Sequence, residues 1–372
     1  MSFLVNASNL HVGGGVQVAV SFISELYFQK QFNFSIVCST IVRENLPQDL
    51  DTDKFVSFKV IDVFGLSKLD RTKKEYFEGF DVCFTIFGPF YPRIDAKYHI
   101  CGFAQPWIAY PNNDVYSKLS FFELLKNKLR FSVQNILFKS YDRLVVEGEH
   151  VKASLISRGY NDSDISVVSN CVSTIYDDES KWADIDFDYS QLEYDFTLGF
   201  IGRPYPHKNI EILHKVNEIL KIDFGLKINF LFTFSGSEMK KLGFDKLKNF
   251  HTVGVINTNQ CPNFYKSIDA LIFPSLLECF SASPIEALKT STTVIASNYP
   301  FVRDVCKDAA FYFDPLNPND IAKVINEVCI ENNVRESKKL LGKKIVDVLP
   351  TAEDRAASYA DIIFKTYNEI GK

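Results

Sequence analysis

The sequence predicts the α/β class, with two parallel-sheet domains each covered by helices. Three observations lead there. A length of 372 residues is enough for two domains with full cores. Short apolar runs of strand character alternate with amphipathic runs of helical character along the whole chain. Between Thr174 and Glu193 the alternation lapses into a stretch rich in Asp, Tyr and Ser, without apolar periodicity. The expected layout is a first domain over 1–173, a linker over 174–194, a second domain over 195–350 and a closing helix over 351–372.

In the first half the strand-like runs are Phe3–Asn6, Phe34–Thr40, Phe55–Val63, Asp81–Gly88, Tyr98–Phe103, Arg143–Val146 and Ile165–Val168. In the second they are Phe196–Arg203, Ile228–Ser235, Phe250–Ile256, Ala270–Phe273, Thr293–Ser297 and Ala310–Pro315. Helix-like runs fall between them, including Val16–Tyr27, the run from Ile210, Asp320–Ile330 and Ala352–Tyr367. The loop Asn9–Gly15 carries three successive glycines before a helix, which lets backbone approach a ligand closely and leaves N–H groups available. It lacks the full GxGxxG pattern and later acid of a dinucleotide site.

Composition narrows the classes. The chain is 46% hydrophobic and 23% charged, as folded globular proteins are. A formal charge of −5 gives no support to general nucleic-acid binding. The start, MSFLVNASNL, reads as a first strand and not as a signal segment, and no apolar run is long enough for a membrane span. Eight scattered cysteines without a CxxC pair read as reduced core residues of a cytosolic protein, with Cys279 set apart by its place in a loop.

That loop belongs to the most informative stretch, FPSLLECFSASPIEAL, from Phe273 to Leu288. A buried strand enters it and a helix leaves it. Ser283 suits the N-cap, Pro284 the first helical position, and Glu286, three residues past the cap, completes the pattern of a capping box. The helix N-terminus would then face the loop at the carboxyl end of a strand, where open α/β sheets bind ligands. Glu278 and Glu286, with seven residues between them, are acceptors for sugar hydroxyls. Singly, each reads as a cap or a solvated loop acid. Earlier in the same half, a strand ending in Gly202-Arg203 and a loop carrying Lys208 put two cations at the sheet edge, a fork and a point charge for phosphate oxygens. A ligand with both phosphate and sugar would use both sets.

Two other features have competing readings. From Ser117 to Arg143, six cations interleave with a series of apolar residues, among them Phe121, Phe122, Leu125, Leu129 and Ile136, against Glu123 and Asp142 alone, which fits an anionic membrane surface or a core helix with solvated lysines. Asp184 and Asp186 could pair on a metal, but no buried strand delivers them to a pocket.

The Phe273–Leu288 stretch resembles the second signature of the retaining family 4 glycosyltransferases of the GT-B fold, and the likeness extends over nearly the whole chain, most specifically from Gly199 to Pro315. The resemblance implies two Rossmann-like domains facing across a cleft, with the closing helix crossing back to the first. It implies that Arg203 and Lys208 hold the donor diphosphate, Glu286 takes the ribose hydroxyls and Glu278 lies near the donor sugar. Phe280, Ser281 and Ala282 would run along sugar and phosphate, Val255 and Ile256 would line the base pocket, and Gly14 and Gly15 would approach the phosphates. Relatives often carry a His in the loop that here reads Phe103-Ala104-Gln105-Pro106. Gln105 or His99 would take that place, with His11 a further candidate for contact with sugar or acceptor. Cys279 and Ser281 stand where the family usually has glycine, which narrows the loop.

The activity so implied is transfer from a UDP- or GDP-sugar, with retention and without a metal or other cofactor, to a glycan acceptor. The acceptor would be an undecaprenyl-diphosphate-linked oligosaccharide in O-antigen or similar surface polysaccharide synthesis, met by a cytoplasmic enzyme peripheral on the inner face of the membrane. A sugar-nucleotide epimerase of the same fold and a non-catalytic nucleotide-sugar-binding partner remain alternatives.

Overall fold

A computed structural model describes residues 1–370. It contains thirteen strands in two sheets, and each strand-like run of the sequence supplies one of them. In the first sheet β1 (Phe3–Ala7), β2 (Phe34–Cys38), β3 (Ser57–Val60), β4 (Phe80–Thr85), β5 (Ala96–Gly102), β6 (Arg143–Val146) and β7 (Ile165–Val167) lie in the order β3-β2-β1-β4-β5-β6-β7. In the second, β8 (Thr197–Phe200), β9 (Asn229–Phe232), β10 (Phe250–Thr252), β11 (Ala270–Phe273), β12 (Thr293–Ser297) and β13 (Ala310–Phe313) lie in the order β10-β9-β8-β11-β12-β13. Every pairing is parallel. The central strands are buried along their whole length because helices cover both faces, which is why they read as continuous apolar runs without alternation.

Both sheets are doubly wound, so each has a point where the strand order reverses: between β1 and β4 in the first, between β8 and β11 in the second. Ligands of such sheets bind outside the carboxyl ends of the strands at that point. The topology therefore names two loop pairs before any side chain is considered.

The chain divides into one unit of residues 1–111, 121–171 and 350 onward, and another of 112–120 and 172–349. Two boundaries differ from the sequence expectation. The short segment 112–120 belongs with the second unit, where Lys118 pairs with Glu211 at 2.6 Å and Asp114 accepts from the Tyr299 hydroxyl. The supposed linker is also a packed part of the second unit. Tyr176 is buried there, Ile185 and Phe187 lie against the same core, and Trp182 Nε1 donates to the Ile175 carbonyl at 2.7 Å. Its apolar residues follow neither the helical nor the strand period because they anchor short turns.

In the first unit the helix Ala352–Ile370 joins the core, burying Ala356, Tyr359 and Ile363, while Phe364 meets Phe3 edge-on with centroids 5.3 Å apart. Its start is a reciprocal cap: the Asp354 N–H donates to Thr351 Oγ1 at 3.1 Å and the Thr351 N–H to Asp354 Oδ2 at 2.9 Å.

The basic stretch becomes the helix Phe121–Phe138. It is apolar on two faces. Phe131, Gln134 and Phe138 are buried, whereas Phe121, Phe122, Leu125, Leu129, Val133 and Ile136 are all exposed on the other side. Among the described residues no helix is long and apolar enough to cross a membrane. No disulfide joins the eight cysteines, six of which are buried, Cys279 included.

Candidate functional site

The exits of β8 and β11 meet as the topology requires. After β8, Gly202 takes a φ of 129°, a region open to glycine, and its N–H donates to Thr233 Oγ1 at 3.0 Å. The chain then turns through a 3₁₀ segment, Pro206–Lys208, into Asn209, which is left-handed and buried, and whose amide donates to the Pro315 carbonyl at 2.8 Å. The Leu276 N–H donates to the His207 carbonyl at 2.7 Å, fastening the β11 exit to the β8 exit. Lys208 Nζ reaches Glu278 Oε1 at 2.5 Å, with side-chain exposures of 15% and 13%, and the ammonium stands 5.3 Å from the centroid of the Phe273 ring. The pair thus joins the two switch-point loops in a sheltered place, where charge interactions are stronger than at the open surface.

Arg203 sits on the same exit but is 56% exposed and pairs with Glu238 at 3.2 Å. Glu238 also closes a capping box with Ser235 at the start of the helix Gly236–Leu242. Both predicted cations are therefore at the carboxyl edge, each matched to its own carboxylate. His207 is held below its ordinary pKa by burial, against the pull of Glu278, and stacks on Tyr205 at 5.6 Å.

The helix after the β11 exit starts earlier than the sequence pattern suggests. It spans Ala282–Lys289, with Ser281 at the N-cap position and no side-chain cap. Pro284 still falls in the first turn, where the missing N–H has no intrahelical partner to lose. Glu286 is too far along to close a capping box. Instead it accepts from the Tyr265 hydroxyl at 2.9 Å, and burial raises its pKa while that hydrogen bond opposes the rise. Tyr265 is fully buried on the helix Cys261–Lys266. The sequence reading assigned it no role, and no spacing rule would have found it. Phe280 and Ser281 are partly buried and Ala282 is exposed along this loop. At the β10 exit, Gly254 is left-handed at φ 79° and its N–H donates to Thr252 Oγ1 at 3.0 Å; beyond it Val255 is exposed and Ile256 packs inward.

In the first unit the glycine loop leaves β1 at its own switch point. Gly13 is left-handed, and a Cβ at Gly13 or Gly14 would meet nothing within 4 Å, while one at Gly15 would come to 3.3 Å from Leu10. His11 belongs to a local knot: Nε2 lies 3.0 Å from the Val63 carbonyl, Nδ1 3.5 Å from Asp62, and the ring stacks on Phe64 at 4.0 Å. Gln105 follows β5 at the carboxyl edge, partly buried at the start of the helix Pro106–Ala109. His99 lies within β5, its N–H bonded to Asp142 just before β6 begins, and it lines a groove with Ala96 and Ser140 toward the amino edge. That placement removes His99 from the carboxyl-edge set and leaves Gln105. The structure adds Glu147 at the β6 exit. Asn170 Nδ2 donates to it at 2.8 Å, Arg355 donates to Asn170, and burial raises its pKa to about 7. Asp184 and Asp186 are both exposed, and among the described residues no group of three or more His, Cys, Asp or Glu could hold a metal ion.

The family described as Glycosyl transferases group 1 matches residues 184–344, the region that carries the Lys208–Glu278 pair. This segment is a glycosyl transferases group 1 domain. The chain is 29% identical over 167 residues to the O-antigen chain mannosyltransferase RfbU of Salmonella typhimurium, a match covering 44% of this chain and 44% of RfbU. The match thus spans less than half of that relative's length. Among solved structures, that of Anabaena HepE in complex with UDP-glucose is similar with a TM-score of 0.67 at 13% identity, covering 98% of this chain and 100% of that one. WaaG, a glycosyltransferase involved in lipopolysaccharide biosynthesis, gives 0.67 at 13% identity over 98% and 99%. The group 1 domain and the sheet that precedes it thus have the GT-B fold, each a parallel doubly wound α/β unit.

Proposed function

We propose that this protein is a retaining glycosyltransferase that moves a sugar from a UDP- or GDP-sugar to a hydroxyl of a glycan acceptor. The observation that carries the reading is the Lys208–Glu278 pair joining the β8 and β11 exits of a group 1 domain. A donor diphosphate bound there offers Lys208 a second anionic partner, and Arg203, at the open rim, a place for its fork. Glu278 is left to accept from sugar hydroxyls, and Glu286, set by Tyr265, from the ribose.

In the reaction the acceptor oxygen bonds to the anomeric carbon on the face the leaving group departs from. The bond from that carbon to the β-phosphate oxygen breaks, its electron pair stays on phosphate, and the acceptor proton passes to that phosphate oxygen. The products are a retained glycoside and a nucleoside diphosphate. Charge grows on the diphosphate in the transition state, so cations and the N–H groups of the helix Ala282–Lys289 aimed at it do most of the catalysis. This reading needs no metal or other cofactor.

RfbU is an O-antigen chain mannosyltransferase and WaaG acts in lipopolysaccharide biosynthesis. They support a lipid-linked oligosaccharide, undecaprenyl-diphosphate-linked, as acceptor. The exposed apolar face of the helix Phe121–Phe138, with Lys126, Lys128 and Arg130 on the same helix, supports a peripheral enzyme on an anionic membrane surface at the inner face of the plasma membrane.

The test is a melting-temperature panel of UDP- and GDP-sugars with EDTA present, followed by product analysis with a lipid-linked acceptor. Stabilisation by one donor, unchanged by EDTA, and an α- or β-linkage matching that donor's configuration are expected. Epimerised nucleotide sugar formed without acceptor, or donor binding with neither transfer nor hydrolysis, would overturn the proposal.

A further inference from the structure

The first unit holds a concavity that the donor reading leaves unused. Crossovers between parallel strands ordinarily lay a helix over the sheet. Here the β3–β4 crossover carries only the short helix Arg71–Lys74 and one 3₁₀ turn, and the β4–β5 crossover carries no helix at all. Between the two irregular crossovers lies a cavity of about 820 Å³, within the range of small-ligand sites.

The lining is chemically specific. Lys68, Lys74 and Arg93 all border the cavity, and none of them makes an ion pair among the described residues. Tyr91 presents a ring whose hydroxyl is fixed by Gln134 Nε2 at 2.8 Å. Glu78 and Asp95 add two carboxylates, and Asp95 uses one oxygen to accept from the Gly79 N–H at 3.2 Å, leaving the other for a ligand. Three cations around one cavity call for an anionic group, the carboxylates accept hydroxyls, and a tyrosine ring covers the apolar C–H face of a pyranose.

We infer that this cavity binds an acidic carbohydrate, a sugar ring carrying a phosphate or carboxylate group. The site does not depend on the donor reading, since it lies wholly in the first unit and uses none of the donor residues.

Isothermal titration of the full chain with glucose 6-phosphate and with glucuronate tests it, with glucose and inorganic phosphate as comparisons. A triple variant, Lys68→Ala/Lys74→Ala/Arg93→Ala, changes only exposed side chains, and an unaltered melting temperature checks its fold. At least one acidic sugar is expected to bind about tenfold or more tighter than glucose and than inorganic phosphate, and the triple variant to lose at least about tenfold, the scale of one charged hydrogen bond. No binding of either acidic sugar, equal binding of inorganic phosphate, or full binding by the triple variant would overturn the inference. Persistence in the variant would place the ligand elsewhere, for instance at the donor loops.

Discussion

Lys208 and Glu278 stabilise each other at 2.5 Å, so changing either one leaves the other sheltered and unmatched. Lys208→Ala is expected to lower kcat/KM for transfer by about a hundredfold or more, the scale of losing one preorganised charge contact to a transition state. Arg203→Ala is expected to lower it as well. Near-normal turnover in both variants would remove the phosphate role from this loop. Glu147 gives a separate prediction, on stability. Burial lifts its pKa from an ordinary 4.5 to about 7, with Arg355 and Asn170 opposing. Across that window the folded protein keeps a proton that the unfolded chain releases, so stability falls as pH rises from 4.5 to about 7. Glu147→Gln keeps the oxygen that accepts from Asn170 and removes the titration. Its melting temperature should change less between about pH 5 and about pH 8 than that of the unaltered protein. An identical pH profile would show that Glu147 titrates normally. The two cations were legible beforehand, but their contacts and the surroundings of Glu147 were not. The seven-residue gap between Glu278 and Glu286 can be read from a string of letters, but the partners Lys208 and Tyr265 come from separate elements.

At the scale of elements, the helix Phe121–Phe138 is the clearest departure from a core helix. A helix that buries Phe131 and Phe138 on one side normally turns polar residues outward, and this one turns out Phe122, Leu125, Leu129 and Ile136. Phe122→Asp/Leu129→Asp is expected to reduce sedimentation with anionic vesicles at least about tenfold, because it removes apolar contact and adds like charge to that of the lipid. Raising the salt should weaken binding of the unaltered protein. Equal sedimentation by the variant would assign vesicle binding to another surface. The amphipathic pattern was visible in the sequence, but its two readings could not be separated there. A periodicity locates apolar residues on a helix without saying which of two apolar faces meets the core. The helix Ala282–Lys289 carries a related lesson. Ser283, Pro284 and Glu286 match a cap by spacing, yet the helix begins at Ala282, and Glu286 is drawn to Tyr265.

At the scale of the whole molecule, the helix Ala352–Ile370 is part of the first unit although it follows the second in sequence. It packs on the core that contains Phe3, Phe22 and Phe84, with Tyr359 at 5.2 Å from both Phe22 and Phe84. Removing residues from 352 onward strips several large apolar groups of their cover, each worth about 1.5–3 kcal/mol. Calorimetry of the shortened chain should lose the cooperative unfolding of the first unit while that of the second survives. Two intact transitions would mean that the first unit holds its core without this helix.

The sequence by itself determined the α/β class, the thirteen strands and the loops that leave them. Those follow from local rules, since short apolar runs bounded by turn residues read as strands, and parallel pairing is what the helices between most of the strands imply. Tertiary structure alone decided which charges meet, where the units divide and which polar groups are sheltered. Lys208 and Glu278 are 70 residues apart. The segment 112–120 leaves the first half to join the second, and Ile175, Tyr176, Ile185 and Phe187 pack on the core where composition suggested an open linker over 174–194. Such outcomes depend on contacts between distant parts of the chain and on the burial those contacts create, and neither quantity is local.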